Sequence, residues 1–216
     1  MLFLACSAQA APFAVRIGET RIALDAPAGF ADTTFTGSPR LQEFAEALTS
    51  ASNRILLFAV TDADLRRFTV GDPIDARRYM VAVTPRGLER EHISPAEFRT
   101  FVDESLRELG QSPAPAADYR KFLDAQPGRQ PLLAELRRDP ETVSVLQGSR
   151  LVSPPVGAFA DEPPAKYVLS TTTLVLVRGK ALNLGVFCAY EGPADLEWIR
   201  TMTEHWTDEL LRLNDR

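Results

Sequence analysis

Cysteine and histidine are scarce in this sequence. Its 216 residues include two cysteines, Cys6 and Cys188, and two histidines, His92 and His205. A zinc site usually takes three or four such ligands from one chain, so the composition disfavours zinc. If Cys6 is removed during maturation, an internal disulfide is impossible. We expect Cys188 to be a buried thiol that packs as a small hydrophobic side chain, and not a catalytic nucleophile.

Several functional patterns are also missing. Beyond the N-terminal residues, no segment reaches the run of about 18 apolar residues that a membrane-spanning helix needs. There is neither a glycine-rich phosphate loop nor a Gly-x-Ser-x-Gly nucleophile elbow. The net charge is −5, and basic residues alternate with acidic ones. Such a charge disfavours a nucleic-acid partner. We therefore expect no cofactor and no nucleic-acid function.

The N-terminus carries a signature of export. Residues 1–10 read MLFLACSAQA, and Ala8-Gln9-Ala10 matches the small-residue pattern that precedes signal-peptide cleavage. A basic region is missing and the apolar run is short. We therefore interpret residues 1–10 as the remnant of a signal peptide whose upstream part is not in this sequence. An ordinary N-terminal strand and a lipoprotein anchored through Cys6 are the alternatives. The expected location is periplasmic or secreted.

The region 166–213 organises the predicted fold. Two β-rich runs flank Gly179 and Lys180, which predicts a hairpin closed by a two-residue type II′ turn. This turn sets a register whose core-facing pairs are apolar near the turn. They are Val177 with Leu182, Val175 with Leu184, Thr173 with Val186, Thr171 with Cys188 and Leu169 with Tyr190. The opposite face is mixed in polarity, so we expect it to be half covered.

A long helix is predicted to follow this hairpin, beginning after Gly192 with Pro193 in its first turn. Its apolar residues recur at helical spacing and predict one buried stripe. The stripe consists of Leu196, Ile199, Met202 or Thr203, Trp206, Leu210 and Leu213. We expect Trp206 to anchor this helix and residues 214–216 to fray.

Trp198 lies roughly opposite the buried stripe of the same helix. Two interpretations are open: its indole is exposed, or it lies under residues 111–165. A large exposed aromatic side chain is typical of a protein-binding surface. Trp198 is therefore the candidate partner surface in this sequence, and no residue qualifies as a catalytic, cofactor or metal site.

The first half of the chain predicts strands and helices in alternation. The predicted elements are a hairpin over 13–24, a helix from Ser38, a central strand covered on both faces over 54–60, a helical turn over 62–68, a strand over 78–83 and a helix over 94–109. The clearest local signal is the capping box formed by Ser94 and Glu97, with Pro95 at the first helical position.

Residues 111–165 differ in character from the rest. They hold nine of the 16 prolines, which favours irregular chain over long regular elements. We predict short helical segments over 119–123 and 132–138 and one strand over 143–152. The segment is interpreted as an insertion-like connection. A single α+β domain is expected to span 11–216.

Four carboxylates, from Asp62, Asp64, Asp72 and Asp75, lie close together in sequence. Oxygen ligands of this kind suit hard cations, but the spacing is not that of a calcium-binding loop. Neighbouring arginines neutralise the charge, so we interpret these residues as helix caps and salt bridges. The alternative to a binding function is a hydrolase or metal-dependent enzyme that uses Asp62, Asp64 and a histidine.

The order of these elements predicts an α+β fold, a mainly antiparallel sheet flanked by amphipathic helices in an α/β/α sandwich. With its opening segment 22–30, the capped helix from Ser94 and the closing hairpin plus helix, the chain resembles the PsbP-like superfamily, including DcrB-type bacterial envelope proteins. The resemblance covers most of 13–110 and 166–213. It implies a non-catalytic binding or accessory protein of the bacterial cell envelope, whose partner is another envelope protein, and it supplies no site residue.

Overall fold

The computed structural model describes residues 12–34, 36–107, 109–116, 118–151 and 166–215. The predicted signal-peptide remnant, including Cys6, lies outside these residues. None of the helices in the part of the chain that the structure describes is both long enough and apolar enough to cross a membrane.

The strands, in chain order, are β1 (Phe13–Ile17), β2 (Thr20–Leu24), β3 (Phe30–Asp32), β4 (Asn53–Thr61), β5 (Arg78–Pro85), β6 (Leu132–Asp139), β7 (Thr142–Leu151), β8 (Lys166–Val177) and β9 (Lys180–Ala189). The helices are α1 (Pro39–Ala47), α2 (Asp62–Thr69), α3 (Pro95–Arg107), α4 (Arg120–Asp124) and α5 (Pro193–Asn214).

A seven-stranded antiparallel sheet is the centre of the molecule. Its strand order is β3-β4-β5-β9-β8-β7-β6, and β1 and β2 form a separate two-stranded hairpin. Every neighbouring pair runs antiparallel, and five of the six pairs join strands that are consecutive in the chain. The exception is the pair of β5 with β9. The predicted α+β class with an antiparallel sheet is confirmed.

Helices cover both faces of this sheet. On one face, α5, α4 and the β1-β2 hairpin pack over a continuous core. Its members include Ile17, Ile22, Leu57, Met80, Leu123, Val175, Leu184, Val186, Ile199, Trp206 and Leu210. On the other face, α3 and α1 each cover a smaller cluster. These clusters are Phe98 and Val102 with Val143, Val145, Leu174 and Leu176, and Ala45 with Phe58, Val60, Val81 and Val83.

The closing hairpin has the predicted faces but a different turn. Arg178 and Gly179 occupy the loop with φ of +52° and +74°, as a type I′ turn requires, and Val177 pairs with Lys180. The predicted type II′ turn at Gly179 and Lys180 is wrong because Lys180 belongs to β9. Its buried ammonium donates to the carbonyls of Glu89 and Glu91. Each cross-strand pair of β8 and β9 is therefore displaced by two residues from the predicted pair. Because side chains alternate along a strand, a displacement of two leaves every side chain on its predicted face of the sheet.

Two other predictions about local structure are wrong. The segment 132–138 is strand β6 and not a helix: its helix-favouring residues pair with β7, which shows tertiary pairing overriding local propensity. The end of α5 does not fray at Asn214. The Asn214 amide accepts from the nitrogen of Ala23 and donates to its carbonyl, so it fixes the helix end to β2.

Candidate functional site

Asp64 is the member of the acidic cluster that takes part in the cap of α2. Asp64 is buried at the start of α2, where its backbone nitrogen donates to Thr61 Oγ1 at 3.1 Å. Its two carboxylate oxygens accept from Thr61 Oγ1 at 3.0 Å and from the nitrogen of Asp75 at 3.2 Å. Asp62 and Asp72 are exposed. Asp64 therefore fastens the loop before β5 to the first turn of α2.

The histidines and aspartates do not assemble. In the ranges described, no three His, Cys, Asp or Glu side chains lie together as a metal would require. His92 is exposed and packs on Gly179 so closely that a Cβ at that glycine would collide with the imidazole ring. His205 is exposed on α5, beside Glu209. The two histidines therefore do not join the acidic cluster in one site among the described residues.

Cys188 is a core residue, as the sequence predicts. Its side chain is buried in β9, and burial raises the pKa of its thiol to about 12. A thiol with such a pKa carries almost no thiolate near neutral pH, and the thiolate is the reactive form. The structure thus places Cys188 among the packing residues of the first face.

Trp206 and Trp198 occupy opposite environments on α5. Trp206 is 2% exposed, and its indole nitrogen donates to the carbonyl of Asp25 at 2.9 Å. The predicted anchor is confirmed. Trp198 is half-buried against Phe30, with ring centroids 6.2 Å apart, and the Arg78 guanidinium lies 4.2 Å above its ring. The aromatic and cation–π contacts of this ring therefore come from β3 and β5.

The surface around Trp198 is held in place by charged neighbours. Arg78 donates to Asp195 at 3.2 Å, and the second carboxylate oxygen of Asp195 accepts from the nitrogen of Glu191 at 3.0 Å. Arg77 forms an exposed ion pair with Glu191 at the same end of α5. The Trp198 surface, consisting of Trp198, Arg78 and this ion pair, combines a fixed aromatic ring with a polar margin.

A cleft of about 610 Å³ lies beside α1, where the sequence suggests no site. Apolar side chains form part of its lining, and hydroxyl and amide groups form the rest. Its principal lining residues are Thr33, Thr34, Ser38, Leu41, Gln42, Ala45, Glu46, Thr49, Ser50, Asn53, Arg54, Ile55, Phe58 and Arg86. This volume is within the range of about 300–1,000 Å³ that small-molecule sites occupy. We call it the α1 cleft.

A second, shallower depression adjoins the α1 cleft through Arg54 and Arg86. It is lined by Arg16, Gly18, Glu19, Arg54, Arg86, Gly87, Glu89, Arg90 and Glu91. Arg54 donates to Glu89 at 2.8 Å and to the carbonyl of Arg16 at 2.8 Å. No sequence signal finds this group because its arginines come from β1, β4 and the connection after β5.

Comparison with known proteins leaves the family open. No family model matches the chain, and no curated protein sequence matches it. Among solved structures, the Saccharomyces cerevisiae Ran-binding protein Mog1p is similar over 95% of this chain and 93% of its own length. The sequence identity is 11% and the TM-score is 0.37. A likeness at this level carries no argument about function, so the fold class rests on the sheet order and register, and the DcrB-type resemblance stays a prediction.

Proposed function

We propose that this chain is an exported, non-catalytic binding or accessory protein of the bacterial cell envelope, and that it recognises another protein through the Trp198 surface. The stack of Arg78 on the half-buried indole of Trp198 carries the proposal. Tryptophan and arginine are the residue types most enriched at the energetic centres of protein interfaces.

The Trp198 surface is prepared for binding before a partner arrives. Phe30 packs against the indole, while Asp195 forms an ion pair with the guanidinium that lies over it. Side chains that are already ordered lose little conformational entropy on association, which favours affinity. The exposed pair of Arg77 with Glu191 supplies charge at the margin, where it contributes to orientation and association rate more than to affinity.

The alternative, a hydrolase or metal-dependent enzyme, needs Asp62, Asp64 and a histidine to act together. Both carboxylate oxygens of Asp64 already accept hydrogen bonds that cap α2 and hold Asp75. Catalysis through Asp64 would therefore first have to disrupt a buried cap. The contacts of this residue support the binding function over the enzymatic one.

Export is part of the proposal and rests on Ala8-Gln9-Ala10 in the sequence. Cleavage after Ala10 would release a mature chain that begins at Ala11. N-terminal sequencing of the protein purified from its native host, expressed from an upstream start, tests this. A cytoplasmic protein with intact Met1 would contradict export, and a lipid on Cys6 would favour the lipoprotein alternative.

Affinity capture from an envelope extract tests the binding function. The parent chain should retain an envelope protein, and titration of that purified partner should give an affinity that Trp198→Ala and Arg78→Ala each lower by about tenfold or more. Thr201→Ala, an exposed change on the same helix, is the matched control and should bind as the parent does. An affinity that survives Trp198→Ala would reject this surface. Hydrolytic activity that is lost in a His92→Ala/His205→Ala variant would support the enzyme instead.

A further inference from the structure

β4 is much longer than the strand beside it. It spans nine residues, whereas the three-residue β3 pairs with only Ala59, Val60 and Thr61. From residue 53 to residue 57, the outer edge of β4 has no strand neighbour in the part of the chain that the structure describes. A free sheet edge presents a row of backbone donors and acceptors, which can template the addition of another strand.

The β3-β4 ladder ends at Phe58 through side-chain contacts. The nitrogen of Thr33 donates to the Phe58 carbonyl at 2.7 Å. The Phe58 nitrogen instead donates to the Thr34 hydroxyl at 3.2 Å and to the Asp32 carboxylate at 3.3 Å. These side chains replace the backbone partner that a longer β3 would have provided. The chain then leaves the sheet toward α1, so the earlier part of β4 stays open.

The α1 cleft lies along this open part of β4. Asn53, Arg54, Ile55 and Phe58 contribute its wall on the strand side, and α1 contributes the opposite wall. The α1 wall consists of Leu41, Gln42, Ala45 and Glu46. A groove between a strand edge and a helix is the geometry in which extended peptides add a strand to a sheet, with side chains reaching into the groove. A register shift at Leu56 bends this edge, so the added strand is short.

Arg86 supplies positive charge at one end of the α1 cleft. Arg86 lines this end, and its guanidinium donates to the carbonyl of Asn53. Among the described residues Arg86 forms no ion pair with a carboxylate, whereas Arg54 beside it pairs with Glu89. In the adjoining depression, Arg16 and Arg90 are accompanied by Glu19 and Glu91, so the positive charge that faces the cleft is that of Arg86.

We infer that the α1 cleft binds an extended, acidic peptide segment of a partner protein, which adds to the open edge of β4 as a short strand and places a carboxylate near Arg86. Backbone pairing supplies affinity without regard to sequence, while Arg86 supplies the preference for an acidic side chain. This inference is independent of the Trp198 surface, because no residue of that surface lines the cleft.

Fluorescence anisotropy with a defined probe tests the inference on the full chain. The probe is a fluorescein-labelled peptide, Thr-Val-Glu-Val-Asp-Val. One matched peptide carries Gln and Asn in place of Glu and Asp, and another is methylated at alternate backbone nitrogens. We expect saturable binding of the acidic peptide, with about tenfold or greater loss for each matched peptide. Equal binding of the methylated peptide, equal binding of the neutral peptide, or no binding of any peptide would overturn the proposal.

Variants of the cleft locate the binding. Gln42→Trp fills the cleft from the exposed side of α1, and Arg86→Glu reverses the charge at its end; each should weaken the acidic peptide by about tenfold or more. Glu43→Trp on the same helix and Arg129→Glu on a distant loop are matched exposed controls that should bind as the parent does. Far-ultraviolet circular dichroism and melts confirm that all four variants are folded. Binding that survives both cleft variants would overturn the assignment to this site.

Discussion

The two edges of the seven-stranded sheet end in different ways. β6 pairs with β7 along its whole length through two register shifts, and its exposed side chains form ion pairs. Arg138 pairs with Glu135, and Arg137 pairs with both Asp139 and Asp208. At the opposite edge, β3 is short, β4 is partly open, and Arg86 forms no ion pair with a described carboxylate.

This difference indicates which edge is protected and which is available. Bulges and charged side chains are the devices by which soluble proteins prevent strand addition at an edge. β6 has both. The edge of β4 also has a register shift and an ion pair, Arg54 with Glu89, but a cleft of ligand size lies beside it. The cleft therefore distinguishes the edge of β4 from that of β6.

The largest effect on stability is expected from truncation of Trp206, which belongs to the core beneath the sheet. Trp206→Ala empties a fully buried site under α5 and should cost about 3–5 kcal/mol. This is a large share of the roughly 5–15 kcal/mol that stabilises a domain, so the variant should be largely unfolded and neither edge should survive. Urea melts provide the measurement. Trp198→Ala is the control and should cost much less, whereas the reverse order would show that the buried face of α5 is wrongly assigned.

An intermediate effect is expected from overpacking next to β6. A Cβ on Gly148 would lie 2.9 Å from Leu133 and 3.1 Å from Leu123, both of which are buried. Gly148→Val should therefore destabilise the chain by about 1–3 kcal/mol, measured by urea melts. Ser149→Val, at the next and partly exposed position, is the matched control. The folded variant should keep its affinity for the acidic peptide, and a loss of that affinity would mean that the two edges are not independent.

A smaller effect on stability, with a distinct effect on association, is expected when β6 loses its charges. The pair formed by Glu135 and Arg138 is exposed, so Glu135→Val/Arg138→Val should change the free energy of unfolding by about 1 kcal/mol or less. Without these charges the edge should pair with other copies, and sedimentation velocity should show concentration-dependent association. Glu209→Val/Arg212→Val on α5 is the control and should sediment as the parent does. Unchanged sedimentation of the β6 variant would refute the protective role.

The smallest effect concerns the cap of α3, which covers β7 and β8. The backbone nitrogen of Ser94 donates to the Glu97 carboxylate at 2.8 Å, and this hydrogen bond holds the pKa of Glu97 below its usual value. The ionised carboxylate of Glu97 therefore adds to the free energy of unfolding. This contribution is complete above the unfolded pKa of about 4.5 and is lost as the pH falls through the lower folded value. Melts should show Glu97→Gln less stable than the parent at pH 7, with the difference shrinking toward pH 3. A difference that does not depend on pH would contradict this account.

Local patterns were sufficient for much of the fold. The capping box at Ser94, the burial of β4 on both faces and the stripe through Trp206 depend on residues that are neighbours in the chain, and the structure confirms them. Two details are wrong: Leu213 is only partly buried, and β4 lies next to the edge strand β3 instead of at the centre of the sheet. The faces of the closing hairpin were also predictable, because side chains alternate along a strand whichever residues form the turn. The turn of this hairpin could not be predicted from neighbouring residues. Lys180 belongs to β9 and not to the turn, and its ammonium bonds to the distant carbonyls of Glu89 and Glu91.

The sequence by itself determined the α+β class, the two faces of the β8-β9 hairpin and the buried side of α5, because periodicity and helix caps act between close neighbours. Only the tertiary structure decided that 132–138 is a strand, since β7 provides its partner. It alone placed Phe30 and Arg78 around Trp198. The α1 cleft is likewise a tertiary feature, because its walls come from chain segments that meet only where β3 ends before β4 does.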